Sequence, residues 1–348
     1  MNRPAGKRYL VVCTLRIGDV LLTTPVVRAI RQHDPSARID VLVLSGMSGI
    51  LQGNPDIDRI LVTPHRAGFL GRMKELAGLW RRYDVALTTV SSDRARLFCF
   101  IAGKTAVGPY NPHSAWLSVR LLKQRVLFDD LRTHTVVMGL NVLDLLGIPR
   151  QYQVVPPTAG GAIPAVLEGR TYAVLHPYPK FRYKMWPQSH WVALARSLQE
   201  RGITVALSGS SDPEEMRYVN EIAQACDGLN FCGSLSLAQG ADLISGSVLF
   251  VGPDTGVTHI AAATGVPTIA LFGPSNPVKW GPWPSAYAGN ESPWAMKGSR
   301  CVGNVSLIQG EGDCVPCREE GCDKHRDSYS RCLDDLSLAR VLAAMDRA

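Results

Sequence analysis

Short apolar runs alternate with longer amphipathic stretches along almost the whole chain. Residues 9–15 (YLVVCTL) read as a first strand, and Arg16-Ile17-Gly18-Asp19 as the turn leaving it. A helical pattern follows to about Gln32, with Val20, Val27 and Ile30 on its apolar face, and Asp34-Pro35 stops it. Residues 39–44, 60–62 and 85–90 predict further strands, with a helix from about 69 to 82 among them. A helix over 134–146, closed by Gly147 with Pro149 beyond, completes this half. Strands alternating with helices predict a parallel α/β sheet in a Rossmann-like layer.

Residues 154–164 (VVPPTAGGAIP) are rich in Pro, Gly and Ala and mark a linker. A second α/β pattern begins after it. Strands are expected at 172–176 and 203–208, and helices at 191–201 and 214–225. An apolar run at 248–251 then breaks at Gly252-Pro253. Asp254-Thr255-Gly256 opens a small-residue helix carrying Thr258 and His259, and the next strand is expected at 268–272. The division predicted is 1–155, then 156–330 with a cysteine-rich segment at 301–332, then a C-terminal helix over 331–348. Two such domains would face each other across a cleft at the carboxyl edges of their sheets, where ligands bind in folds of this class.

Composition narrows the class. With 348 residues, 46% hydrophobic and 19% charged, the chain reads as globular, about two domains long. No run approaches the ~18 apolar residues of a spanning helix. Arg3, Lys7 and Arg8 precede an apolar run too short for a secretory signal, so the expected location is cytoplasmic. The net charge of +7 is uneven: residues 1–150 carry 21 Lys and Arg against 11 Asp and Glu, and the rest 16 against 19. A basic first half suits an anionic ligand or an anionic membrane surface, and equally a merely solvated basic surface. No compact basic run or nucleic-acid motif is present, so no nucleic acid is expected as a partner.

Three stretches could carry chemistry. Gly18-Asp19 lies at the end of the first strand, where Asp19 serves either as a helix-capping carboxylate or as a general base. The spacing is not the GxGxxG fingerprint, which disfavours a nicotinamide cofactor. Residues 176–191 (HPYPKFRYKMWPQSHW) put His176, Lys180, Arg182 and Lys184 on a loop after a strand, suited to a diphosphate or simply to solvent. At 254–259 a Gly-rich turn opens a helix whose first N–H groups lack intrahelical partners, a ready anion pocket or an ordinary crossover. Of nine cysteines, Cys13, Cys99, Cys226 and Cys232 read as inert. Cys314, Cys317, Cys322 and Cys332 offer four thiolates with a C-x2-C start, a set that would suit structural zinc or iron, against a reduced loop without metal.

Taken together, LRIGDVLLTTP, the K-x-W-P-x-x-H-W segment and VGPDTGVTHIAAATGVPTIALFGPSNP closely resemble the ADP-heptose:lipopolysaccharide heptosyltransferases, glycosyltransferase family 9, in order and spacing over nearly the whole chain. The resemblance implies a GT-B fold with an N-terminal acceptor domain and a C-terminal nucleotide-sugar domain. It implies Asp19 as catalytic base and Lys184 at the donor phosphates. Asp254, Thr255, Gly256, Thr258 and His259 match the donor site, and one of Glu214 and Glu215 the carboxylate on the ribose. Arg94 and Arg96 are acceptor-side candidates. The implied donor is ADP-heptose, and the implied acceptor a lipid-linked anionic saccharide reached by peripheral contact with the inner membrane. No cofactor is required by this reading. A same-family transferase with another acceptor, and a nucleotide-sugar epimerase on the same fold, are the alternatives.

Overall fold

Strands and helices sort into two parallel sheets in the computed structural model, which describes residues 6–66 and 68–346. Arg3 of the basic N-terminus lies outside the described residues. The first unit runs to Val155 and takes in Ala288–Glu291; the second comprises Pro156–Tyr287 and the chain from Ser292 onward.

In the first unit the strands are β1 (Arg8–Cys13), β2 (Arg38–Leu44), β3 (Arg59–Thr63), β4 (Tyr83–Thr88), β5 (Gly103–Tyr110) and β6 (Gln124–Leu127). They pair in the order β3-β2-β1-β4-β5-β6, all parallel. Leu10 to Cys13 are wholly buried, as expected of a central strand covered on both faces. The helices are α1 (Ile17–Leu21), α2 (Thr24–His33), α3 (Phe69–Leu79), α4 (Asp93–Ala102), α5 (Trp116–Arg120) and α6 (Thr135–Asp144). The single helix expected up to Gln32 is therefore α1 and α2. Pro25, in the first turn of α2, has no N–H to continue a ladder from α1, and Thr23 turns its hydroxyl back to Asp19 O at 2.9 Å.

The second unit has β7 (Tyr172–Leu175), β8 (Thr204–Leu207), β9 (Leu229–Asn230), β10 (Leu249–Pro253), β11 (Thr268–Phe272), β12 (Arg300–Val302) and β13 (Val305–Gln309). The order is β12-β13-β11-β10-β7-β8-β9, with only β12 antiparallel. Its helices are α7 (Gln188–Glu200), α8 (Pro213–Cys226), α9 (Leu237–Ser245), α10 (Gly256–Thr264), α11 (Pro277–Trp280), α12 (Arg331–Asp334) and α13 (Leu338–Met345). The last two stand where one C-terminal helix over 331–348 was expected: α12 ends at Asp335 and Ser337 begins α13 afresh. Residues 347 and 348 lie outside the described residues. Trp186 and Trp191, both fully buried and packed edge to face at 5.1 Å, join Leu194, Leu198, Val205 and Val251 in the core beneath the sheet.

Both sheets reverse strand order once. In the first unit the chain runs outward through β2 and β3, then returns past β1 to β4; in the second it runs through β8 and β9, then returns past β7 to β10. Crevices open at the carboxyl ends of strands flanking such a reversal.

Candidate functional site

In the second unit, the reversal point collects the residues that the sequence spreads over 176–259. β10 ends at Pro253 and delivers Asp254 directly to the sheet edge, while Thr255 caps α10, its hydroxyl accepting from Thr258 N at 3.4 Å. The loop after β7 folds back through a short turn at Arg182–Lys184 and brings the Lys184 ammonium to 2.5 Å from Asp254 Oδ2. Burial alone would raise the Asp254 carboxyl, but Lys184, a hydrogen bond from Ser275 and His259 hold it below its ordinary range. The pair is ionised and only slightly exposed, 18% for Lys184 and 9% for Asp254.

His259 sits one turn into α10 and is buried, which drives its imidazole down to about 4; Asp254 partly opposes this and Lys184 adds to it. It is neutral at physiological pH. Its Nδ1 is enclosed and makes no hydrogen bond, an orphan that a bound polar group would satisfy. Thr258 is fully buried, its hydroxyl spent on Pro253 O at 2.5 Å and on Thr255 at 3.2 Å, so it shapes the turn and does not face a ligand. Gly256 leads the first turn of α10, whose N–H groups need acceptors from outside the helix.

His176, at the end of β7, is also lowered to about 4 by burial, with Ser208 3.2 Å from its Nδ1. It is a neutral spacer between β7 and β8, not the cation its position suggested. Lys180 and Arg182 are exposed to solvent, which leaves Lys184 as the cation aimed inward from this loop.

Glu214 and Glu215 both fall in the first turn of α8, capped by Asp212. Glu215 turns inward: it accepts from Ser210 N at 2.9 Å and from the Ser210 hydroxyl, and burial raises its carboxyl. Glu214 is exposed, and its carboxylate accepts from the Tyr178 hydroxyl, whose own titration is pushed up to about 12 by burial and by Glu214.

Asp19 belongs to the first unit, one turn beyond β1 at that sheet's reversal point. It is 8% exposed, and its Oδ2 accepts the Arg16 N–H at 3.2 Å, so it does cap α1. Thr23 and Thr89, after β1 and β4, join across the reversal at 2.7 Å. Thr14 Oγ1, at the end of β1, is enclosed without a hydrogen-bond partner.

The two arginine candidates are engaged by bonds within the first unit. Arg96 is 1% exposed, and its guanidinium is consumed by Asp93, Ser91, Ser114, Ser118 and Pro109 O. It clasps the ends of β4 and β5 from inside. Arg94 is half-buried and spends its terminal nitrogens on His65 O, Pro64 O and Thr63 Oγ1, pinning the end of β3.

All nine cysteines are reduced. The Cys332 thiol is raised to about 12, by burial first and then by Cys317, Cys322 and Cys314 in that order. Cys322 Sγ accepts Arg331 N–H at 3.5 Å. Among the described residues no group of three His, Cys, Asp or Glu is placed to hold a metal ion.

Sequence reasoning passed over Ser275, Tyr178 and Thr14. Ser275 was legible in kind, since it follows β11 in a Gly-Pro-Ser-Asn turn at the sheet edge next to Asp254. Tyr178 and Thr14 carried no signal beyond their place just after a strand.

The model of "Glycosyltransferase family 9 (heptosyltransferase)" matches residues 73–304. The chain is 27% identical to lipopolysaccharide heptosyltransferase 3 of Escherichia coli, over 95% of this chain and 96% of that protein. The structure of Escherichia coli ADP-heptose lipopolysaccharide heptosyltransferase II superposes with a TM-score of 0.74 at 21% identity, covering 98% of each chain. That of heptosyltransferase WaaC from Escherichia coli with ADP-2-deoxy-2-fluoro heptose gives 0.72 at 19% identity, covering 98% and 99%.

Proposed function

The chain belongs to glycosyltransferase family 9, the heptosyltransferases, and from that premise we propose an inverting transfer of heptose from ADP-heptose to a sugar of the lipopolysaccharide inner core. The observation that carries it is the ionised Lys184–Asp254 pair beside the N-terminus of α10, with the orphaned Nδ1 of neutral His259 behind it. A lysine and a helix N-terminus aimed at one spot suit the charge that grows on a leaving diphosphate. They meet that charge without a divalent ion, and no step is assigned to a cofactor. The relatives' names support the donor and acceptor class: one is a lipopolysaccharide heptosyltransferase, and one was solved with an ADP-heptose analogue.

An acceptor hydroxyl is a poor nucleophile at neutral pH. Asp19 takes its proton as oxygen bonds to the anomeric carbon and the bond from that carbon to ADP breaks. The hydrogen bond from Arg16 N holds the carboxylate in place for this. Asp254 and His259 face the heptose and diphosphate, and Gly256 admits the phosphates close to the backbone. Glu214 takes the ribose hydroxyls, because Glu215 is already committed to Ser210. Transfer takes place on the cytoplasmic face of the inner membrane, where the lipid-linked acceptor is presented.

The test is transfer from ADP-heptose to a panel of truncated lipopolysaccharide cores, with the product linkage determined. Inverted product on an inner-core sugar is expected, and Asp19→Ala should cut turnover about 10²- to 10⁴-fold with donor affinity kept. Turnover near normal in that variant would remove Asp19 as base, and no transfer to any core would remove the acceptor class.

A further inference from the structure

The first unit has a face that a soluble ligand does not explain. Right-handed crossovers place α3, α4 and α5 together on one side of the sheet, since each connects strands advancing in the same direction from β3 to β6. α4 packs against both neighbours, while α2 and α6 pack together elsewhere. α4 buries Ala95, Arg96, Phe98, Cys99 and Ala102 on its inner face and α5 buries Ser118 and Val119, whereas α3 is no more than half-buried at any described side chain. The outer residues do not follow the usual polar pattern.

On α3 the outward stripe is Leu70, Met73, Ala77 and, at its C-cap, Trp80, spaced three, four and three apart along a single helix face. Leu70 is 81% exposed, Met73 50% and Trp80 57%. α4 adds Leu97 and Phe100, and α5 adds Trp116 at 62% and Leu117 at 64%. Arg81 lies over both Trp80 and Phe100, at 5.5 and 5.9 Å, and Arg120 lies 4.7 Å over Trp116. Exposed Trp–Arg stacks amid aliphatic side chains have the make-up of an interfacial anchor, whose rings sit at the headgroup level.

Charge selects the occupant. Glu75, Asp93 and Asp84 are the acids around this face, and each is already paired, with Arg72, with Arg96, and with Arg8 and Lys104. Lys74, Arg81, Arg82 and Arg120 are exposed and form no ion pair among the described residues. An apolar stripe fringed by unneutralised cations fits a surface that is apolar beneath and anionic on top.

We infer that the outer face of α3, α4 and α5 is a membrane-docking surface that seats the enzyme on anionic phospholipid, with Leu70, Trp80 and Trp116 inserted and Lys74, Arg81, Arg82 and Arg120 on the headgroups. This rests on the reading of a lipid-linked acceptor and deepens it by naming where the bilayer lies. The surface is distinct from Asp19 and from the Lys184–Asp254 pair, so docking and chemistry separate by mutation.

The experiment is vesicle co-sedimentation of the full-length enzyme with phosphatidylcholine alone and with phosphatidylcholine containing phosphatidylglycerol. A triple variant, Leu70→Ser, Trp80→Ser and Trp116→Ser, is run beside it, and both are assayed on a water-soluble truncated core. The wild type should bind anionic vesicles, bind neutral ones at least 10-fold more weakly, and release as salt rises. The triple variant should lose anionic-vesicle binding at least 10-fold while keeping transfer to the soluble acceptor. Equal binding of neutral and anionic vesicles, undiminished binding by the variant, or no vesicle binding at all would overturn the proposal. So would a wild-type dimer that the variant turns monomeric, since a second copy would then own the face. Failure of transfer by both proteins on every soluble core counts against the heptosyl reading and leaves the vesicle comparison standing.

Discussion

Asp254 is enclosed at the end of a buried strand, where an isolated carboxylate would cost several kcal/mol to keep ionised. Lys184, 70 residues away in the chain, supplies the counter-charge. Removing one partner should therefore do more harm than removing both. Lys184→Met is expected to lower folding stability by about 3–5 kcal/mol at neutral pH. Part of that should return as the pH falls and Asp254 takes a proton, because an unpaired buried carboxyl titrates above its unfolded value. Lys184→Met with Asp254→Asn should recover most of the stability yet leave transfer slower by about 10²-fold or more; urea unfolding beside initial rates reads both. The pairing itself was not legible: Lys184 and Asp254 each stood in a motif, but spacing says nothing of contacts between distant segments. The two glutamates make the same point at closer range. They are adjacent in sequence, and only the fold of the loop at Gly209 and Ser210 turns Glu215 inward. Glu214→Ala should raise the donor KM about 10-fold with an unchanged melting temperature, since a hydrogen bond to a carboxylate is worth roughly 1.5–3 kcal/mol. Glu215→Ala should lower the melting temperature. The reverse pattern would exchange their roles.

The loop carrying Lys184 has little regular structure, and its position is fixed from outside. Trp186 is fully buried and donates to Leu336 O at 2.7 Å, and the Ser330 hydroxyl donates to Tyr183 O at 2.6 Å. The chain from Ser330 to Leu336 thus braces this loop through two bonds, one on each side of Lys184. Trp186→Phe should cost about 1–3 kcal/mol through the orphaned carbonyl and raise the donor KM more than it lowers kcat, because Lys184 is displaced and not removed. A kcat loss at constant KM would contradict this. Element by element, the apolar periodicity located most of the regular structure: β11 and the strand-turn-helix around Asp254 fall where the pattern put them. It failed at β5 and β6. β5 contains Gly103, Gly108 and Pro109, which read as turn residues, yet Gly103 is needed because a Cβ there would come within 2.7–2.8 Å of Ala86 and the Thr105 carbonyl. β6 (QRVL) is a mostly exposed edge strand and carries almost no apolar signal. α4 was hidden by Arg96, a charge buried on its inner face.

Across the whole molecule the same order of parallel strands occurs twice, and each copy places a candidate group after a strand at the reversal point, a carboxylate in one and a helix N-terminus beside an ion pair in the other. Sequence alone could assign roles to those groups through the resemblance, but it could not say that the two imidazoles flanking the second reversal, His176 and His259, are both held neutral. Burial is the larger cause for each and depresses each from 6.5 to about 4. The sign follows from proton counting. Above pH 6.5 neither state binds the extra proton, and stability is unaffected. Between 6.5 and 4 the unfolded chain takes up protons that the folded one refuses, so stability falls as the pH falls. By pH 5 the loss is about 2 kcal/mol for each imidazole. Thermal unfolding followed from pH 7.5 to 5 should therefore show a flat region above about 6.5 and a falling one below. His259→Gln should remove roughly half of the descent while leaving the flat region, apart from a constant offset, in place. A descent of the same slope in that variant would mean that His259 is already charged in the folded protein. The unpaired Nδ1 would then carry a proton near the Lys184 ammonium, and the surroundings of the α10 N-terminus would carry one more positive charge than the structure assigns to them.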